Sequence, residues 1–384
     1  MTPEGVTIRH PDKLYIGGEW VAPLSGETIE VVNPVSEEVI ARVAHAGNAD
    51  MDRAVAAARA AFDHGPWPTT PPAERGKVLM RMADILEKRV PEIAKAWVAQ
   101  IGGLATRSEG MQMGSVMGLR GTAALGETFP WTETKKGQMV DTAVIVREPV
   151  GVVAGIAPWN APFGIMLNKV AYSLIGGNTI VMKPSPETPL EAYIIAEAAE
   201  EAGVPPGVVN LVPADREASD HLIHSKDIDK VSFTGSSAAG MHIASVCGSK
   251  MTRATFELGG KSAAIVRDDF PIEDAANILG NTITVLSGQV CAMLSRAIVT
   301  KDRHDELAEA IAKVMKGVKI GDPADPETQL GPLAMCRPAA DDPVKLTLSM
   351  SSEWIRWSDA SRSAGTRLIT PGGTPASSAA SAMM

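Results

Sequence analysis

Apolar and polar positions along the chain fall into short strands first, then helices, then an alternation of the two. LYIGGEWV (14–21) and TIEVVNPVSEEVIARV (28–43) read as short strands and turns. DMDRAVAAARAAFDHG (50–65) sets Ala, Val and Phe at helical spacing, with Asp50 as its cap and Gly65-Pro66 as its stop. A longer helical stretch runs from Ala73 through ERGKVLMRMADILEKR towards Gly102. QMVDTAVIVR (138–147) alternates and then runs apolar, as an exposed hairpin strand does. From Val150 the pattern changes. VGVVAGIAP (150–158), NTIVMK (178–183), VVNLVP (208–213) and DKVSFTG (229–235) are continuous apolar runs, expected of strands covered on both faces. Helical stretches, PLEAYIIAEAAEEAG (189–203) and DREASDHLIHS (215–225), lie between them. Strands alternating with helices predict βαβ units and a parallel sheet. FELGGKSAAIV (256–266) opens another region, with helices near residues 272–286 and through HDELAEAIAKVMKG (304–317). IGDPADPETQLGPL (320–333) is a turn-rich loop. Beyond Met335 no strong period persists and PGGTPASSAASAMM is low in complexity, so residues 336–384 are expected to be poorly folded.

Composition narrows the classes. The 384 residues suit two or three domains, and 45% hydrophobic with 21% charged residues allows sizeable cores. A net charge of −9 disfavours nucleic acid as a partner, which needs a basic face. No apolar run reaches the roughly 18 residues of a membrane span, and the N-terminus lacks a signal-peptide core. Three cysteines, Cys247, Cys291 and Cys336, make no disulfide framework and point to a reducing compartment, the cytoplasm. No G-x-G dinucleotide fingerprint, P-loop, G-x-S-x-G elbow or HExxH occurs. His221 and His224 share a helix face without a third ligand in sight, so no metal site is expected.

Taken singly, the chemistry-bearing residues have ordinary readings. In SFTGSSAAG (232–240), Gly235 allows a tight turn and Ser236 caps a helix whose positive end suits a pyrophosphate. Many strand–helix turns use Gly-Ser as a plain cap. Cys291 in SGQVCAMLSR reads alone as a small buried hydrophobe. Asn160 in APWNAPF reads as a turn residue, Lys183 in VMKPSPETP as a solvated charge, and Glu257 in FELGGKS as a surface carboxylate.

Together, APWNAPF, VMKPSPETPL, VSFTGSSAAG, FELGGKS and GQVC resemble the aldehyde dehydrogenase superfamily in order and spacing. Asn160 and Lys183 stand 23 positions apart, Glu257 and Cys291 34 apart. The resemblance covers roughly residues 14–335. It implies an α/β fold: a Rossmann-like parallel-sheet cofactor domain, an incomplete α/β catalytic domain and a small β-hairpin oligomerisation element. The implied boundaries are 1–131 and 151–257 for the NAD(P)-binding domain, 132–150 for the hairpin, 258–335 for the first part of the catalytic domain and 336–384 for an aberrant tail.

The resemblance also implies roles. Cys291 is the nucleophile that adds to the aldehyde carbon, giving a thiohemiacetal and then a thioester. The Asn160 amide, with the Cys291 backbone N–H, holds the oxyanion. Glu257 is the general base that activates water, and Lys169 matches a lysine linked to proton transfer. Lys183 and Ser185 bind on the adenosine-ribose side. Ile156, Ala157, Pro158 and Trp159, with Phe233, Thr234, Gly235, Ser236, Leu258 and Gly259, line the nicotinamide and pyrophosphate. The implied partners are a small aldehyde and further copies of the chain, without nucleic acid or membrane.

Three departures from the family pattern bear on these roles. Pro186 stands where a glutamate commonly favours NAD, which leaves NADP open beside NAD; Glu187 follows it. Pro213-Ala214-Asp215-Arg216-Glu217 replaces a Gly-rich loop; Arg216 is of a type that favours a 2′-phosphate, although a solvated arginine is its ordinary reading. Family members continue for about a hundred further residues, of which only TRLITPGG (366–373) carries a faint likeness. Truncation or a reading-frame change near Met335 is the hypothesis for this, and instability or inactivity of the chain is the expectation. The leading function is NAD(P)-dependent oxidation of an aldehyde to a carboxylic acid. The alternatives are an inactive remnant of such an enzyme and a CoA-acylating semialdehyde dehydrogenase, against which Glu257 argues.

Overall fold

A computed structural model of the chain describes residues 2–334 and the backbone of a short strand at Leu368–Ile369. The expectations placed on the rest of residues 335–384 lie outside the described residues. The chain divides into two compact units, residues 1–258 and 259–384.

The first unit opens with β1 (Leu14–Ile16), β2 (Glu19–Val21), β3 (Thr28–Val32) and β4 (Val39–Ala44). Helix α1 (Asn48–His64) follows, capped by Gly47. Asp50 is therefore not the cap but lies in the first turn. Its buried carboxylate accepts from the Gly47 and Leu24 backbone N–H groups at 3.3 and 3.2 Å and pairs with Arg53 at 3.1 Å. A side chain three positions inside the helix thus satisfies orphan donors that the cap itself, a glycine, cannot reach.

The long helix expected from Ala73 is two helices, α2 (Pro72–Lys88) and α3 (Val90–Ile101), joined at Arg89. Pro91 explains the break. It lacks an N–H and fits only a first helical turn. Next comes α4 (Ala105–Thr128), which the sequence pattern does not announce. Its glycines weaken intrinsic helix propensity but admit close packing. A Cβ on Gly126 would meet the Pro72 carbonyl oxygen at 2.5 Å, and one on Gly76 the Ala123 carbonyl oxygen at 2.5 Å. The α2–α4 contact thus repays a weak local preference.

An antiparallel hairpin, β5 (Thr132–Lys135) and β6 (Ala143–Val146), precedes the main sheet. The sheet then grows through β7 (Val152–Ile156), α5 (Pro162–Ile175), β8 (Thr179–Lys183), α6 (Leu190–Glu201), β9 (Val209–Leu211), α7 (Arg216–His224), β10 (Lys230–Gly235), α8 (Ser237–Lys250) and β11 (Arg253–Leu258). The strand order is β11-β10-β7-β8-β9-β1-β2. Strands β7 to β11 are parallel to their neighbours, and β1 joins β9 antiparallel. The chain builds outward from β7 to β9, then crosses back beyond β7 to lay down β10 and β11. The carboxyl ends of β7 and β10 therefore form a topological switch point, where open α/β sheets bind ligands. Both β7 and β8 are buried throughout. One sheet face packs Val153, Ile180 and Met182 against Phe163, Leu167 and Tyr193. The other packs Val152, Val181 and Val231 against Met51, Val55 and Leu222.

The second unit holds β12 (Ala263–Ile265), α9 (Ile272–Ile283), β13 (Arg296–Ile298), α10 (His304–Lys316) and β14 (Leu368–Ile369). β12 pairs parallel with β13, and β14 pairs antiparallel with β13, placing Leu368 opposite Ile298. Its core comprises Val266, Ile272, Leu279, Ala297, Leu307 and Ile311.

Candidate active site

Strand register gathers the sequence-marked residues of the first unit. Ile156, last in β7, is flanked by Lys183, last in β8, and by Phe233 of β10. Phe233 in turn faces Phe256, Thr234 faces Glu257, and Gly235 faces Leu258. One row of residues thus crosses the carboxyl edge of the sheet. The chain leaves β7 through Ala157, Pro158, Trp159 and Asn160. It leaves β10 at Ser236, the N-cap of α8, whose hydroxyl accepts from the Ala239 N–H at 3.3 Å. The amides of the first turn of α8 point towards the same edge.

Trp97 on α3 anchors the β7 loop. Its indole N–H donates to the Asn160 carbonyl at 3.2 Å, and the Asn160 Oδ1 accepts from the Ala161 N–H at 3.0 Å. Gly103 makes room for the indole, since a Cβ there would lie 1.9 Å from the Trp97 ring. Nothing in the local sequence pattern marks Trp97 or Gly103 as part of the site.

Lys183 is buried, where a solvated charge is the ordinary reading of a lysine at a strand end. Burial pushes its ammonium down to about 8, opposed by Glu187 and Asp215. Asp215 caps α7, accepting from the Ala218 N–H at 3.0 Å. Ser185 donates its hydroxyl proton to Glu187. A buried cation, two carboxylates and a hydroxyl gather within five residues of β8 and at the head of α7. That donor set suits the hydroxyls of a ribose.

Lys169 on α5 donates to the Ser232 hydroxyl at 3.1 Å. Burial, then Lys230, push it down to about 8, while Glu257 pulls the other way. Lys169, Lys230, Ser232, Thr234, Thr255 and Glu257 share an open cavity of about 400 Å³. Glu257 itself is solvent-exposed on the edge strand β11. His221 pairs with Asp52 at 2.7 Å and His224 with Asp220 at 3.4 Å. Among the described residues no cluster of His, Cys, Asp and Glu is arranged to hold a metal.

Gly259 and Cys291 belong to the second unit. Cys291 is half-buried and follows a turn in which Leu286, Ser287 and Gly288 all have positive φ. Gly260 lies beside its carbonyl, which a Cβ would contact at 3.5 Å.

A doubly wound sheet with a buried lysine, a capped helix N-terminus and small apolar residues at its switch point defines a dinucleotide-binding α/β protein. The sequence pattern of the aldehyde dehydrogenase family matches residues 20–341, and the chain belongs to that family of oxidoreductases. Geranial dehydrogenase of Castellaniella defragrans is 38% identical over 330 residues, covering 86% of this chain and 69% of that protein. A Mycobacterium tuberculosis aldehyde dehydrogenase complexed with NAD+ superposes with a TM-score of 0.82 at 38% identity, over 86% of this chain and 68% of that one. A cysteine-to-alanine mutant of an aldehyde dehydrogenase of Pseudomonas syringae, complexed with NAD+ and octanal, gives 0.81 at 37% identity, over 86% and 67%. The chain thus spans about two thirds of the length of these relatives.

Proposed function

We propose that this chain carries the machinery for oxidising an aldehyde to a carboxylic acid, with NAD as the acceptor and NADP as a second possibility. One observation carries the reading. Asn160, Lys183, Ser236 and Glu257, the residues that the family resemblance marks, stand at or just beyond the carboxyl ends of four adjacent parallel strands at the switch point. The NAD+ complexes of the two related structures support the cofactor.

Lys183, with Ser185 and Glu187 beside it, holds the adenosine ribose. Ser236 and the first-turn amides of α8 receive the pyrophosphate, and Ile156, Ala157, Pro158, Trp159, Phe233, Thr234, Gly235, Leu258 and Gly259 line the path to the nicotinamide. When bound there, the nicotinamide supplies the hydride acceptor. The Cys291 thiolate adds to the carbonyl carbon, and the oxygen takes up the charge as a thiohemiacetal oxyanion. The Asn160 amide and the Cys291 N–H donate to that oxyanion. Once the carbon is oxidised, Cys291 carries the acyl group as a thioester. Glu257 takes a proton from the water that attacks it, and the acid leaves while the thiol is restored. Lys169, with its lowered ammonium pKa and its place in the same cavity as Glu257, passes protons to and from that carboxylate.

Residues 1–131 and 151–257 form the cofactor domain in this reading and residues 258–335 the first part of the catalytic domain. The hairpin of residues 132–150, which exposes Val144 and Val146 at 59% and 58%, joins copies of the chain. A reducing cytoplasm suits the thiol nucleophile. Among the described residues no helix is long and apolar enough to cross a membrane.

The deciding experiment extends the chain with a family-like C-terminus, replaces Cys291 with serine in that parent and measures oxidation of a panel of aldehydes beside NAD binding. Oxidation is expected to vanish while NAD binding persists. Turnover within tenfold of the parent chain overturns the assignment.

A further inference from the structure

The turn ahead of Cys291 holds unfavourable backbone. Leu286 and Ser287 have φ/ψ of 47°/41° and 53°/34°, and Gly288 has φ 78°. Two consecutive residues with a Cβ thus occupy the left-handed region, which L-residues avoid because Cβ crowds the following carbonyl. Such backbone persists only where its surroundings fix it.

The fixing contacts come partly from within. The Ser287 N–H donates to the Thr284 carbonyl at 3.1 Å, and the Gln289 N–H to the Leu286 carbonyl at 3.0 Å. The Gln289 side-chain amide also donates to the Leu286 carbonyl, at 2.9 Å. Two further bonds come from a segment more than forty residues on. The Ser287 hydroxyl donates to the Gly331 carbonyl at 2.8 Å. The Gln289 Oε1 accepts from the Ala334 N–H at 3.1 Å. That distant segment is itself built. Gln329 N–H donates to the Lys319 carbonyl at 2.9 Å, Lys319 N–H to the Gln329 side chain at 3.0 Å, and Gly321 N–H to the Leu330 carbonyl at 3.2 Å.

We propose that Ser287 and Gln289 are positioning residues for the Cys291 sulfur: they brace the left-handed turn in front of it against the backbone of residues 331–334. The inference rests on the assignment of Cys291 as nucleophile. Attack on a carbonyl tolerates little misplacement, and about 1 Å can cost about 10²-fold in rate. Without the brace, Leu286 and Ser287 fall back to ordinary backbone, and the sulfur four residues further on is displaced. A glycine at 287 holds the left-handed turn without a hydroxyl, so it separates loss of the brace from loss of the turn.

The test uses the full chain and its Ser287→Ala, Ser287→Gly, Gln289→Ala and Gln289→Glu variants. Alkylation of Cys291 by iodoacetamide is followed by peptide mass analysis across pH 6–9, with Cys247 as internal control. Ser287→Ala and Gln289→Ala are expected to change the Cys291 rate by fivefold or more and leave Cys247 unchanged. Ser287→Gly is expected to restore most of the parent behaviour. Gln289→Glu, which keeps the size and the acceptor but loses the donor, is expected to fall between parent and Gln289→Ala. In aldehyde oxidation kcat is expected to fall at least tenfold for Ser287→Ala, with both KM values within twofold. A Cys291 alkylation profile identical to the parent in both alanine variants, or Ser287→Gly behaving as Ser287→Ala does, overturns the brace. If the parent chain oxidises no aldehyde, the functional reading fails while the alkylation series still decides the brace.

Discussion

Residue types that look ordinary in isolation change meaning with their surroundings. Lys183 is the clearest case. Nothing in VMKPSPETP distinguishes a solvated lysine from a buried one, yet the strand end places its ammonium inside the sheet edge, facing Glu187 and Asp215. Pro186 directly follows Ser185, and its side chain offers no acceptor. Replacing Pro186 with Glu is expected to raise the NAD/NADP ratio of kcat/KM. An unchanged ratio removes position 186 from cofactor choice. Glu257 lies exposed on β11 in the cavity it shares with Lys169. Glu257→Gln is expected to slow thioester hydrolysis by about 10²–10⁴-fold while a burst of reduced cofactor persists. Unchanged steady-state turnover at neutral pH excludes the general-base role. Trp97 belongs at this scale too, because it reaches the site through an indole N–H on the Asn160 carbonyl, a contact with no counterpart in the local pattern.

At the scale of elements, hydrophobic periodicity located the parallel strands and most of the helices between them, because both are long enough to show their period. It missed α4. That helix packs through glycines, so neither propensity nor an amphipathic stripe marks it. It also ran α2 and α3 together and misplaced the cap of α1, since the choice between Gly47 and Asp50 depends on where the chain enters the helix. The junction after α3 makes a sharp prediction. Gly103→Ala drives a Cβ into the Trp97 ring, at 1.9 Å before relaxation. It is expected to destabilise the first unit by about 1–3 kcal/mol, read as a lowered Tm. A Tm within 1 °C of the parent, an interval of order a few tenths of a kcal/mol, means that the indole moves aside at no cost.

Over the whole molecule, one buried carboxyl couples stability to pH. Glu191 at the start of α6 is fully buried, and burial pushes its carboxyl up to about 7, against a hydrogen bond from Gln100 at 2.7 Å. Gln100 also accepts from the Leu190 N–H at 3.2 Å, tying α3 to the head of α6. Folded chains keep the Glu191 proton where unfolded chains have lost it, so the stabilisation is complete below about 4.5 and is lost as pH rises through about 7. Between pH 6 and 8 the parent Tm is expected to fall by about 2–3 °C more than that of Glu191→Gln. Parallel Tm curves exclude the coupling. By itself the sequence determined the family, the parallel-sheet architecture and the identities of the residues at the strand ends, because strand period and short motifs are local properties. Only the tertiary structure decided that β10 crosses back beside β7, that Lys183 is buried, that Trp97 holds the Asn160 loop and that Ser287 reaches residue 331. Those outcomes depend on register and packing between segments tens of residues apart, which no local pattern encodes.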